Sequence, residues 1–235
     1  NVNKPLNWTS FEVVRKLKFD LGPKKIGHAG TLDPLASGVL IVLTDGDTKK
    51  QSEIMALPKE YTFEMALGLN SATYDLEGPF TVTPNLDFDV ENLMYPKRKE
   101  LQREIMAKVD KVAKNYVGQI EQKVPLYSAV KVNGKRLYKQ ARFLDKNREL
   151  NVNTINTPIR KVEIYDLKIL NLFYKEILIM GKRLVFPVVE VKVSCGKGTY
   201  IRSLAYDIGK DLGMGATVVK LIRNRVGLYL LENSM

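Results

Sequence analysis

Cysteine, histidine and tryptophan are nearly missing from this 235-residue chain, each occurring once, as Cys195, His28 and Trp8. One cysteine excludes an internal disulfide framework and a cysteine-cluster zinc site, and with one histidine beside it no protein-held metal centre is expected. No apolar run approaches the length of a membrane span, no signal peptide is recognisable, and no glycine-rich phosphate loop appears. The sequence therefore reads as a soluble, cytoplasmic chain with no membrane partner. Acidic residues are also in deficit: 26 Asp and Glu face 37 Lys and Arg, a formal charge of +11. An excess of that sign favours a polyanionic partner by electrostatic steering and counterion release. A lysine-rich solvated surface has the same composition, so charge alone leaves both readings open. The hydrophobic content of 45% supplies a substantial core, in one large domain or two small ones.

Periodicity alternates between helix and strand, without repeats or low-complexity segments. Thr9-x-x-Glu12 has capping-box spacing in front of Phe11, Val14, Leu17 and Leu21, which predicts an amphipathic helix of about three turns. Val39 to Leu43 reads as one buried strand, and Tyr61 to Leu69 alternates as a half-buried one. Residues 98–116 read as a long basic helix with Leu101, Ile105, Val109, Val112 and Tyr116 along one side; its lysines are either a solvated face or an RNA contact. Strands are expected from Gly118 to Val124, Thr157 to Leu170 and Leu184 to Ser194. Thr199 is placed to cap a helix over Tyr200 to Leu212. The asparagine-rich segment 145–157 reads as a surface loop.

Chemistry concentrates in residues 27–34, Gly-His-Ala-Gly-Thr-Leu-Asp-Pro. Pro34 fixes its own φ and pushes Asp33 into extended geometry, so the carboxylate sits in a stiff turn. Gly27 and Gly30 allow turns, or close approach of a ligand, that other residues resist. A rigid loop offering one carboxylate suits a nucleophile or an acid/base. Asp-Pro is equally a common start to an ordinary surface turn, and the octet alone does not decide.

The run GHAGTLDPLASGVL, Gly27 to Leu40, resembles the catalytic signature of the TruB family of tRNA pseudouridine synthases. Further blocks resemble the family in order: Lys4-Pro5 through Ser10, Lys59-Glu60-Tyr61, the loop with Asp75 and Gly78, Gln122 to Arg142, and Gly198-Thr199-Tyr200-Ile201-Arg202. Asn7 stands where the family usually has glycine, Ala72 where a first aspartate is usual, and Val124 where the first of two prolines is usual. Asparagine tolerates left-handed backbone better than most residues, so the first change is mild. The chain opens at Asn1 with almost none of the hydrophobic strand that precedes Lys-Pro in the family. An N-terminal stub is therefore expected to be missing, which leaves an organellar destination open.

The resemblance implies an α+β pseudouridine synthase fold: a mixed, mostly antiparallel sheet with flanking helices and a central active-site cleft. It makes residues 1–235 one catalytic domain with an RNA-clamping insertion over about 122–145 and no C-terminal PUA domain. Asp33, Tyr61 and Arg202 are then catalytic, with Arg202 paired to Asp33 and Tyr61 stacked on the target base. His28 stacks into the RNA loop as the base leaves its stack, and Lys4, Asp75, Tyr127, Lys131, Lys135, Arg136, Arg142, Leu221 and Arg223 complete the RNA-binding set. The segment from Tyr127 to Arg142, basic with interleaved aromatics, suits phosphate contact and stacking. The implied reaction isomerises the T-loop uridine of tRNA, position 55, to pseudouridine. It needs no cofactor, no metal and no protein partner, and the enzyme is expected to be a monomer. Two alternatives stay open: a non-catalytic tRNA-binding or folding protein on the same scaffold, and a relative of the guide-RNA-dependent synthases.

Overall fold

The computed structural model describes residues 1–83, 95–146 and 156–235. In chain order these form β1 (Val2–Lys4), α1 (Ser10–Leu21), β2 (Ile26–His28), β3 (Ala36–Leu40), β4 (Val42–Thr44), α2 (Gln51–Ala56), β5 (Lys59–Leu67), β6 (Leu69–Ser71) and β7 (Phe80–Val82). There follow α3 (Tyr95–Ala113), β8 (Gly118–Lys123), β9 (Lys131–Val132), β10 (Lys135–Arg136), α4 (Leu137–Lys146), β11 (Ile159–Ile179), β12 (Lys182–Cys195), α5 (Ile201–Asp211), β13 (Ala216–Val226) and β14 (Tyr229–Leu230). The central sheet runs β1-β3-β13-β5-β12-β11-β8, with β14 paired to β13. Its pairings are antiparallel except β13 with β3, so the sheet is mixed and mostly antiparallel as expected.

Alternation on the central strands builds the core. Phe63, Met65 and Leu67 of β5 lie with Val189, Val191 and Val193 of β12 and Val218 of β13, all fully buried. Ile105 and Val109 of α3, and Leu204, Ala205 and Ile208 of α5, close over them. Each such side chain contributes about 1.5–3 kcal/mol by leaving water. The predicted inner side of the 98–116 helix is thus the buried one.

Four local expectations are corrected. The α1 capping box forms, with Thr9 Oγ1 accepting from Glu12 N and Glu12 Oε2 accepting from Thr9 N. The buried face, however, is Ser10, Val13 and Val14, while Phe11 and Leu21 are exposed. Ser10 sets that rotation, because its hydroxyl accepts from Leu32 N at 2.9 Å and donates to Leu32 O at 3.1 Å. The run Val39–Leu43 is two strands, since β3 pairs with β1 and β13 whereas β4 turns away to pair with β2. Thr199 does not cap α5. Its hydroxyl donates to Gly196 O, and the free Tyr200 N–H is taken by Gln122 Oε1 at 2.7 Å. β11 also runs well past Leu170, to Ile179. The segment 145–157 lies, but for its ends, outside the described residues.

Candidate active site

Asp33 sits in the turn between β2 and β3, and the chain pins that turn from several sides. Asn7 N donates to Pro34 O at 2.8 Å, Ala36 N to Asp33 O at 3.0 Å, and Ala29 N to Ile41 O at 2.8 Å. Asn7 takes φ +65°, the left-handed geometry that asparagine accepts with less strain than most residues. Lys4 is fully buried and spends its ammonium on the carbonyls of Pro5, Trp8 and Pro34. Burial pulls its pKa down to about 8, against the opposing pull of Asp33. Arg223 of β13 donates from Nε to Val39 O at 2.7 Å and from Nη2 to Gly30 O at 2.9 Å. Gly38 is required beside it: a Cβ there, at φ +103°, would stand 2.3 Å from Arg223 O.

Arg202, in the first turn of α5, reaches this turn across 169 residues of sequence. Its Nε donates to Asp33 Oδ2 at 2.8 Å, Nη1 to Thr73 O at 2.7 Å, and Nη2 to Tyr127 O at 3.0 Å. Asp75 Oδ2 adds an ion pair at 3.3 Å to Nη1. The guanidinium is 4% exposed and the Asp33 side chain 37% exposed, so a buried cation holds a carboxylate that the solvent reaches. Burial alone would weaken the Arg202 charge, but Asp33 and Asp75 outweigh it and raise its pKa above the usual value. Burial raises the pKa of Asp75, with Arg202 and bonds from Thr73 and Glu77 opposing. Asp33 acts electrostatically on Lys4, Tyr61, Asp75, Glu77, Tyr200 and Arg202, which surround it. Among the described residues, no group of three His, Cys, Asp or Glu is arranged to hold a metal ion.

The segment from Val124 to Arg142 forms a module beside this site. Asn133 (φ +51°) and Gly134 (φ +78°) make the two-residue turn that joins β9 to β10, the Asn-Gly pair such hairpins favour. Val124, Leu126, Leu137 and Ala141 form a small core of their own, with Tyr127 and Tyr200 packed against it. Outside it lies a cleft of about 780 Å³ whose lining includes Lys131, Lys135, Arg136 and Lys139, with no carboxylate among its lining residues.

The sequence pattern described as "TruB family pseudouridylate synthase (N terminal domain)" matches residues 18–201. The chain belongs to the TruB family. A tRNA pseudouridine synthase B of Clostridium tetani is 40% identical over 236 residues, spanning all of this chain and 69% of that protein. One from Flavobacterium johnsoniae is 36% identical over 241 residues, covering all of this chain and 90% of that protein. The solved Cbf5-Nop10-Gar1 complex contains a chain with TM-score 0.61 and 27% identity; it matches 98% of this chain and 49% of its own length.

The structure brings Asp33, Asp75, the Tyr127 carbonyl and Arg202 of this TruB family member together, and distributes the other predicted residues unevenly. Tyr61 is 8% exposed within the main core, beside Arg223, and burial raises its hydroxyl pKa. His28 is half-buried at the end of β2, its Nδ1 buried without a partner, and its pKa is lowered by burial and by Arg223. Lys131, Lys135, Arg136 and Arg142 are exposed. By contrast Lys4, Asp75, Leu221 and Arg223 are buried, at 0%, 3%, 5% and 2% exposure. In this structure Lys4, Asp75 and Arg223 turn their polar groups inward, and Leu221 lies in the core. Thr73 was missed, although its spacing before Asp75 is the signal that marks the loop. Gly78 belongs with it, because a Cβ there would meet Ser71 Oγ at 2.7 Å and Thr73 Oγ1 at 2.8 Å.

Proposed function

We propose that this chain isomerises a uridine of tRNA to pseudouridine, acting on the T-loop. The observation that carries this reading is one solvent-reached carboxylate, Asp33, held at 2.8 Å by a buried arginine, in a chain that also presents an exposed cleft lined in part by Lys131, Lys135, Arg136 and Lys139. The names of its relatives support the substrate class. The reaction breaks the bond between uracil N1 and ribose C1′, turns the base, and joins C5 to C1′, while the C5 hydrogen leaves as a proton and N1 takes one up. Atoms and electrons balance within the nucleotide. Asp33 is the group placed to add covalently at the reacting centre or to assist proton movement there. Arg202 orients it through one charge-assisted hydrogen bond from Nε, while its other nitrogens are held by the Thr73 and Tyr127 carbonyls.

A base must leave its stack to reach this carboxylate, at a cost of a few kcal/mol. His28, on the strand leading into the Asp33 turn, is positioned to fill the gap, and the cationic clamp holds the phosphates around it. One chain supplies Asp33, Asp75, Thr73, Tyr127 and Arg202, which supports a monomer that assembles its site without a protein partner. A tRNA substrate supports a cytoplasmic location, with an organellar one still open; separately, no helix among the described residues is long and apolar enough to cross a membrane. The test is incubation with an unmodified tRNA transcript tritiated at uracil C5, with mapping of the modified base. Release of tritium at the T-loop uridine is expected. Release at another uridine overturns the site assignment, and no release overturns the activity.

A further inference from the structure

Arg202 is fixed on one side by Asp33 and on the other by the loop between β6 and β7, which supplies the Thr73 carbonyl and the Asp75 carboxylate. Between those two residues stands Tyr74, at φ +63°. An L residue with a bulky side chain disfavours this left-handed geometry, so the surrounding contacts must impose it. Tyr74 N donates to Ser71 O at 3.0 Å, and Tyr74 O accepts from Val218 N at 3.0 Å. Its ring stacks on Tyr206, with centroids 4.2 Å apart and planes inclined by 24°. Both rings are half-buried.

Tyr206 lies four residues after Arg202 on α5, and that spacing puts two side chains on one helix face. One face of α5 therefore grips one loop twice, through the guanidinium at Thr73 and Asp75 and through the ring at Tyr74. Without the ring contact, only the two backbone hydrogen bonds to Ser71 and Val218 hold Tyr74 in the left-handed region, and they have to oppose its strain alone. The peptide planes on either side then rotate, carrying with them the Thr73 carbonyl and the Asp75 side chain. Arg202 would keep only Asp33 and the Tyr127 carbonyl as partners. Burial also lifts the Tyr74 hydroxyl to about 12, so that ring stays uncharged at working pH.

We propose that Tyr74 and Tyr206 are positioning residues: their stack sets the Thr73–Asp75 loop on Arg202 and, through Arg202, sets the reactive orientation of Asp33. The claim rests on the function proposed above. It differs from ordinary helix-to-loop packing in requiring that the stack affect the chemical step rather than tRNA binding.

The test compares Tyr206→Ala with Tyr206→Phe by two independent readouts. One is the single-turnover rate of pseudouridine formation, with tRNA affinity measured alongside. The other is hydrogen exchange of the Arg202 Nε–H, which donates to Asp33 and is identified by its disappearance in Arg202→Lys. In Tyr206→Ala the rate should fall at least tenfold and Nε–H exchange should quicken at least tenfold, with tRNA affinity within twofold of wild type. Tyr206→Phe keeps the ring and should restore both to within twofold. If Tyr206→Ala does not melt cooperatively, Tyr74→Gly replaces it, because glycine takes the same φ without strain while removing the other ring. A wild-type rate in the ring-less variant, a phenylalanine no better than alanine, or a loss confined to tRNA affinity overturns the proposal. If wild-type protein makes no pseudouridine, the proposed function fails, and the exchange readout judges the positioning claim alone.

Discussion

Replacing Arg202 by lysine separates charge from geometry. The arginine donates to Asp33, Thr73 and Tyr127 from three different nitrogens and pairs with Asp75, partners drawn from three separate loops. Lysine keeps the cation, so Asp33 and Asp75 retain a counter-charge and the fold should persist. Its donors share one nitrogen, however, and cannot span those loops. Giving up two of the hydrogen bonds at roughly 1.5 kcal/mol each comes to about 3 kcal/mol. If that difference is felt in the transition state, it slows the reaction on the order of a hundredfold. Arg202→Met removes the charge as well and leaves the buried Asp75 carboxylate without its counter-charge, a change that typically costs about 3–5 kcal/mol of stability. The assay is single-turnover tritium release from C5-labelled tRNA, with thermal melting in parallel. Arg202→Lys should still fold but melt below wild type and react about a hundredfold slower, and Arg202→Met should melt lower still. A lysine variant within threefold of the wild-type rate would refute the idea that the fork's geometry matters.

Charge reversal at Lys131, Arg136 or Lys139 should weaken tRNA binding and flatten the log-log dependence of affinity on salt by about one unit for each phosphate that the protein no longer neutralises. The same reversal at exposed Lys108 of α3 should do less; equal effects would mean that only overall charge counts. His28→Ala should impair capture of folded T-loop RNA, and His28→Phe should recover much of that capture through its ring. The lowered pKa of His28 keeps the imidazole neutral above about 6.5. Stability linked to it is therefore complete above that pH and declines as the solution is acidified through it, whereas the single-turnover rate should show no histidine titration between about pH 7 and 8. A phenylalanine as poor as alanine, with a rate that titrates near neutrality, would instead mark His28 as a proton carrier.

Much of this arrangement is visible in the sequence because local chemistry dictates it. The Asp-Pro turn and the Thr9 capping box each depend on a few adjacent residues, and each forms. Asp33 and Arg202 are a different matter: nothing in either segment's periodicity brings them together, and only the family resemblance joined them. Burial of charge was the least legible feature. Lysine and arginine are ordinarily exposed, yet Lys4 and Arg223 turn inward to hold the carbonyls of the Asp33 turn. Phe11 fits the apolar spacing of α1 but faces solvent, because the Ser10 hydroxyl fixes the helix rotation from a partner distant in sequence. The Tyr74–Tyr206 stack has no local signature at all.

Asp33→Asn bears most directly on the claim that this carboxylate carries the reaction. The amide keeps the size of the side chain and one oxygen to accept from Arg202, and removes the charge and the nucleophilicity. Wild-type protein and the variant would be mixed in excess with C5-tritiated tRNA, release followed over time, and binding measured on the same samples. The account predicts full release at the T-loop uridine by wild type, and no release above background by Asp33→Asn despite unimpaired tRNA binding. Retention by the variant of more than a few per cent of the wild-type rate would contradict it.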